Sequence, residues 1–575
     1  MTSDSAAVGE KLVKRLQTLY GDLASADMLL RIEQLIAKYQ LAISKNRSAR
    51  NQGHLWNEST VVLITYGDQI QDAKIPALRT LRNFLVEHQL DQSIDTVHLL
   101  PIFPYSSDDG FSIIDYREIR TDLGDWQDVK HLGKKFDLAI DFVLNHCSRE
   151  SGWFAGYLNS EIPFEQFFIE VDPEVDLSMV TRPRTTPLLT PVQTSRGERH
   201  VWSTFSSDQM DLNFAAPELL LEMLDILLLY IAHGAKIIRL DAIGFLWKQL
   251  GTPCMHLPQT HQVVKLMRDL IDEVAPETIL LTETNVPHQE NISYFGQGDE
   301  ARAVYQFSLA PLLLDAYFRK DASLLQTWLA DLEYPDCGMT FFNFTASHDG
   351  IGVRPLEGIM PPARIDALAN RVLELGGKVS WREKPDGSQS PYELNITYFS
   401  ALQDTEENSA ELHVRKFLAS QAIMLALRGI PGVYFHSLVG TENDQEGVRR
   451  TGHNRSINRQ KFSSLELRER LSVEDSKQRA VFEGYQRLLG IRRLQKAFHP
   501  EGIQTMLPIT DHRVLGFERT SPDTTQRVAV LANFSNQDVV IPLPSEIGER
   551  LDLLSTKRTT GTTYQLDAYQ VAWLV

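Results

Sequence analysis

Eight short, almost continuously apolar runs, separated by longer stretches of helical periodicity, narrow what this chain can fold into more than any other feature. They are Val61–Tyr66, Thr96–Ile102, Leu138–Leu144, Lys236–Leu240, Ile279–Thr282, Val304–Leu309, Thr340–Phe344 and Val433–Phe435. Runs of this kind suit strands covered on both faces, and strands alternating with helices build parallel βα units. Eight such units predict an α/β fold, the (β/α)8 barrel, with functional groups collected at the C-terminal ends of the strands.

The rest of the chain divides around that frame. Residues 1–54 are helical in period and rich in charge, which predicts an N-terminal helical extension. Residues 55–497 are expected to hold the barrel. It is interrupted by two intervals too long for simple βα loops: an inserted subdomain at 147–210 and a lid at 350–405 that contains KPDGSQSP. From 498 to 575 the runs VLGFER, VAVLANFS, VVIPLP and YQVAWLV predict a small antiparallel domain. The greasiest stretch, Leu219–Ala232, is interrupted by Glu222 and Asp225 and opened by Pro217, so it reads as a buried amphipathic helix rather than a membrane span.

Charge and cysteine usage exclude several classes. A formal net charge of −18 disfavours nucleic acid and anionic membrane as partners, and it means that any phosphate site needs local arginines. The three cysteines, Cys147, Cys254 and Cys337, form no CxxC pair, which argues against a disulfide framework and a zinc site. The N-terminus has no basic-then-apolar leader pattern, so a cytoplasmic protein is expected.

The polar residues at the strand ends suggest the chemistry. The third strand runs into Asp141 and then Asn145-His146. The fourth carries Arg239-Leu240-Asp241, with Lys248 expected on the next helix. The fifth ends in Thr282-Glu283, and the seventh leads to Ser347-His348-Asp349. Arg239 and Asp241 are two residues apart and share a strand face. Cleaving a glycosidic bond with retention takes one carboxylate to attack C1 and a second, roughly 5 Å away, to protonate the leaving oxygen. Arg239 is expected to keep Asp241 ionised, while repulsion from Asp349 is expected to keep a proton on Glu283. His146 and His348 can donate hydrogen bonds to sugar hydroxyls.

DFVLNH, RLDAIGFLWK, TETN and ASHD resemble, in order, the four signature regions of the α-amylase superfamily. The resemblance implies Asp241 as nucleophile, Glu283 as general acid/base and Asp349 as transition-state stabiliser. It places Arg239, His146 and His348 in the glucose subsite. ASHDGIGVRPL, SPYELNITYFSAL, GVYFHSLVGTEND and RSINR are similar to the sucrose phosphorylase branch, from about Leu55 to the C-terminus. In that branch Asp109 and Arg455 would hold the far hydroxyls of glucose, and Tyr392 and Glu393 would sit on the lid beside the acceptor. No cofactor and no metal are implied.

A phosphorylase needs a cation near C1, and arginine pairs with two phosphate oxygens at once. Arg182 and Arg184, in the inserted subdomain, are the candidates. Thr284-Asn285-Val286-Pro287, Phe245 and Glu393 depart from true sucrose phosphorylases and look more like the glucosylglycerate and glucosylglycerol phosphorylases. The expected partners are therefore a small α-glucoside and inorganic phosphate. A glycerate aglycone needs a cation, for which Arg449, Arg450 and His453 are candidates, whereas Glu393 suits a neutral polyol. Sucrose or sucrose 6-phosphate phosphorolysis, an amylase-like hydrolase or transglucosidase, a non-catalytic carbohydrate-binding member of the fold, and a homodimeric assembly all stay open.

Overall fold

The computed structural model describes residues 3–24, 26–50, 54–184, 186–383, 388–404, 409–543, 547–559 and 561–575. Its centre is a closed barrel of eight parallel strands in sequential order. The strands are β1 (Val62–Thr65), β2 (Thr96–Leu99), β3 (Asp137–Val143), β4 (Ala235–Asp241), β5 (Ile279–Thr282), β6 (Ala303–Tyr305), β7 (Thr340–Phe344) and β8 (Ile430–Tyr434). All eight apolar runs supply a barrel strand. The sixth is shorter than its run, because Gln306 still bonds to the Phe342 carbonyl but Leu309 already opens a helix. Lys248 is not helical: a single 3-10 turn, Ile243–Phe245, follows β4, and the chain then continues as a loop.

Register sets the site. Asp141 on β3 is paired with Arg239 on β4, Val143 with Asp241, and Leu281 on β5 with Arg239. Asp141 and Arg239 therefore lie level on neighbouring strands, Asp241 stands two residues further along β4, and the adjacent β5 runs out into Glu283.

Two helices precede the barrel, α1 (Ser3–Tyr20) and α2 (Ala26–Arg50). α2 lies along the helix Pro217–Ala232. That helix is buried around most of its circumference, because one side faces the barrel and α2 covers another. Two of its three acids face cations and a hydroxyl from α2: Arg31 is bidentate on Glu218 at 2.7 and 2.8 Å, and Lys38 and Tyr39 reach Asp225 at 2.7 and 2.9 Å. α1 packs on the helix Pro258–Val274, with Arg15 bonded to Asp269 at 3.0 Å.

Within 147–210, the hairpin Leu189–Thr194/Gly197–Trp202 and the helix Gly152–Leu158 stand on the rim. Within 350–405, Ile351–Gly352 pairs with the hairpin Lys378–Glu383/Gln389–Asn395. Thr185 of the first interval, and Lys384–Gly387 and Thr405 of the second, lie outside the described residues. A four-stranded antiparallel sheet ends the chain, with a small core of its own beside the main one. Among the described residues no helix is long and apolar enough to cross a membrane.

Candidate active site

A cavity opens at the C-terminal end of the barrel, and its walls include Asp241, Glu283, Asp349, His146, His348 and Arg455. Tyr392 and Glu393, from the 350–405 interval, and Arg184, from the 147–210 interval, also line it. A wider groove, between the helices Ala410–Ala426 and Lys477–Arg492 and the C-terminal domain, holds none of the predicted site residues.

The guanidinium of Arg239 organises the floor. It is 2% exposed and donates to both Asp141 and Asp241, with 2.8 Å to Asp241 Oδ1, while Glu283 Oε2 lies 3.8 Å from its other terminal nitrogen. Asp141 has a second partner in His98, whose Nε2 is 2.8 Å from Oδ2. Burial would raise the Asp141 carboxyl, but Arg239 and His98 hold it below the usual carboxylate range. Immediately after Asp241, Ala242 takes a left-handed conformation (φ 50°), uncommon for a residue with a Cβ. That turn aims the Ala242 N–H at Glu283 Oε2, 3.3 Å away.

Electrostatics at the two acids differ in part from expectation. Burial, then repulsion from Glu283, pushes the Asp241 carboxyl well above its ordinary range, so Arg239 alone does not keep it low. The physical reason is that one guanidinium serves three buried carboxylates. Burial, and to a lesser degree Asp349, also raises Glu283. Both acids are thus easier to protonate than a free carboxyl. Arg239 is nearer Asp241 than Glu283, which favours the charge on Asp241 and the proton on Glu283. Asp349 differs: burial would raise it, but Arg455 and Arg459 bring it below the usual range. His146 and His348 are neutral, both lowered chiefly by burial, and His348 stacks on Phe111 with ring centroids 4.8 Å apart.

Several predicted residues sit elsewhere or face another way. Asp109 is engaged by Arg459 at 2.6 Å, and it is its neighbour Asp108 that lines the cavity, with Gln209 Nε2 3.3 Å from its carboxylate. Both aspartates have positive φ, so the tight turn rather than the DDGF pattern decides which one turns inward. Arg182 is exposed and donates to the Thr186 carbonyl, whereas Arg184 lines the cavity with its guanidinium 5.8 Å from the centre of the Tyr392 ring. Arg449, Arg450 and His453 are exposed and do not line the cavity, and Arg449 pairs with Glu446. Glu393 is bonded to Arg455 and to the Gly350 N–H, so its carboxylate is already neutralised. Asn145 and Asp211, oxygen donors of a kind that binds cations, face the Lys248 ammonium at 2.6 Å each.

A sequence profile of the α-amylase catalytic domain matches residues 90–340. A glucosylglycerate phosphorylase of Spirochaeta thermophila is 45% identical over 98% of this chain and 98% of its own. The chain belongs to the sucrose phosphorylase branch of the α-amylase superfamily. A second glucosylglycerate phosphorylase, from Escherichia coli, is 43% identical over 98% of this chain and 100% of its own. The crystal structure of sucrose 6F-phosphate phosphorylase from Thermoanaerobacter thermosaccharolyticum matches the fold with a TM-score of 0.73. It does so at 24% identity, over 88% of this chain and 98% of the other.

Within this family frame, three polar cavity residues are not singled out by the sequence patterns: Asp108, Gln209 and Arg354. Asp108 is adjacent to Asp109, and the DDGF pattern does not tell which carboxylate turns inward. Gln209 closes the inserted subdomain, far in sequence from any signature region. Arg354 stands inside the run ASHDGIGVRPL, where an arginine soon after the strand-end acid Asp349 is a signal in the sequence.

Proposed function

We propose that this chain is a retaining glucoside phosphorylase that transfers glucose from 2-O-α-glucosylglycerate to phosphate, releasing α-glucose 1-phosphate and glycerate. One observation carries the reading: Asp241 and Glu283 meet a single guanidinium in a cavity whose walls also carry Arg184 and Arg354.

In the first half-reaction Asp241 attacks C1 and Glu283 gives its proton to the departing glycerate oxygen. In the second, a phosphate oxygen bonds to C1, the ester to Asp241 breaks, and Glu283 takes up a proton. Asp349, held ionised by Arg455 and Arg459, opposes the positive charge that develops on the sugar in both. His348, whose Nδ1 has no partner, is available to the glucose hydroxyls with Asp108 and Arg455, whereas the ring nitrogens of His146 already meet Phe111, Gln209 and Asn145, so its expected donation to the sugar is not supported. The full-length similarity to glucosylglycerate phosphorylases supports glycerate over fructose. With Glu393 bound to Arg455, the argument for a neutral polyol loses its basis.

Three unpaired cysteine thiols fit the cytoplasm, where the reading sets the protein. The test is incubation with 2-O-α-glucosylglycerate, glucosylglycerol, sucrose and sucrose 6-phosphate, each with and without phosphate. Phosphate-dependent glucose 1-phosphate from glucosylglycerate is expected. Free glucose at an unchanged rate without phosphate would mean a hydrolase instead.

A further inference from the structure

Two arginines in the cavity wall are chemically unfinished. Arg354 opens the 3-10 turn Arg354–Leu356, one residue beyond the short strand Ile351–Gly352, and its Nε is buried without a hydrogen-bond partner. A buried guanidinium N–H left unpaired is uncommon and calls for an acceptor. Among the described residues no carboxylate is in ion-pair contact with Arg354 or Arg184. Tyr392 stands in the field of both. Burial pushes its hydroxyl up, whereas Arg184 and Arg354 each pull it down. Asn285, on the loop after Glu283, lines the same wall and has a buried Oδ1 that accepts no hydrogen bond. It lies so close to Gly352 that a Cβ there would come within 2.4 Å of that oxygen, so only glycine lets the lid strand meet the amide. Two free cationic donors and a free acceptor thus share one wall of the cavity that holds the acids.

We propose that Arg354, assisted by Arg184, is the anion receptor of the acceptor subsite, binding the glycerate carboxylate in one half-reaction and phosphate in the next. The proposal rests on the function proposed above. A hydroxy acid matches the wall on both counts: its carboxylate meets the guanidinium fork, and a hydroxyl can donate to Asn285 Oδ1. Phosphate offers the same fork two oxygens. Because each anion leaves before the other attacks, one receptor suffices, and the two must exclude each other. In each deglucosylation the incoming oxygen bonds to C1, the C1–Asp241 ester breaks, and the acceptor proton passes to Glu283.

α-Glucosyl fluoride tests this, because it loads Asp241 with a leaving group that is neither carboxylate nor phosphate. The wild type should pass glucose to glycerate in preference to glycerol, with phosphate and glycerate competing. Arg354→Met should lower the glycerate-to-glycerol ratio at least tenfold and raise the apparent KM for phosphate by a similar factor. Arg354→Lys, which keeps the charge without the fork, should recover part of both and serves if the methionine variant does not fold. A folded variant with an unchanged ratio would overturn the proposal, as would phosphate and glycerate binding without competition. A wild type that transfers glucose to neither anion would instead overturn the function on which it rests.

Discussion

The guanidinium of Arg455 holds Glu393 by two hydrogen bonds, of 3.0 and 2.6 Å, and its third nitrogen lies 2.6 Å from Asp349 Oδ1. Glu393, from the 350–405 interval, and Asp349, the acid proposed to stabilise the transition state, are thus tied through one side chain. Glu393→Ala should release the lid and raise KM for the glucoside about 10- to 100-fold, with a smaller fall in kcat, as expected for charge-assisted bonds of about 1.5–3 kcal/mol. Glu393→Gln should fall between the two. Steady-state kinetics separates these parameters, and a loss confined to kcat would contradict the role given to the pair.

Glu283→Gln should cut turnover of glucosylglycerate by about 10²- to 10⁴-fold, the usual contribution of a general acid. α-Glucosyl fluoride needs no protonation to depart, so in this variant it should still load the enzyme. Mass spectrometry of the peptide containing Asp241 should then show a covalent hexosyl adduct. An adduct on another residue, with Asp241 unmodified, would reassign the nucleophile.

The basic limb of kcat/KM should follow Glu283, which must keep its proton to act as acid. Burial, with a contribution from Asp349, holds that proton to higher pH than usual. Removing the neighbouring anion in Asp349→Asn makes deprotonation easier, so the basic limb of the residual activity should move to lower pH. A limb that stays in place would show that Asp349 does not influence Glu283.

Lys248, Asp211 and Asn145 form a buried polar group beneath His146, with the Lys248 side chain 4% and Asp211 0% exposed. Lys248→Met would leave Asp211 uncompensated. It should destabilise the fold by about 3–5 kcal/mol, read as a lowered denaturation midpoint. Lys248→Met with Asp211→Leu should recover much of that loss.

The docking of the N-terminal extension can be tested at Tyr20, the last residue of α1. Tyr20 donates to the Phe214 carbonyl at 2.9 Å, and its ring lies 6.4 Å from that of Trp247 on the loop after β4. Tyr20→Phe should cost about 1 kcal/mol, measured by denaturation, with kcat nearly unchanged.

What the chain's own order determined is the barrel and the acids. Apolar runs covered on both faces must be strands, eight of them with intervening helices close on themselves, and residues at strand ends follow from position along the strand. Asp241 and Glu283 were legible for that reason, and so was the pairing of Arg239 with Asp241 by period two. Tertiary structure alone decided which of Asp108 and Asp109, and which of Arg182 and Arg184, lines the cavity, and that Glu393 is claimed by Arg455. Those choices depend on left-handed turns and on contacts between segments remote in sequence, neither of which a local pattern encodes. Charge balance behaves likewise. That Arg239 serves three buried carboxylates, and so cannot by itself keep Asp241 low, is a property of packing rather than of the RLD motif.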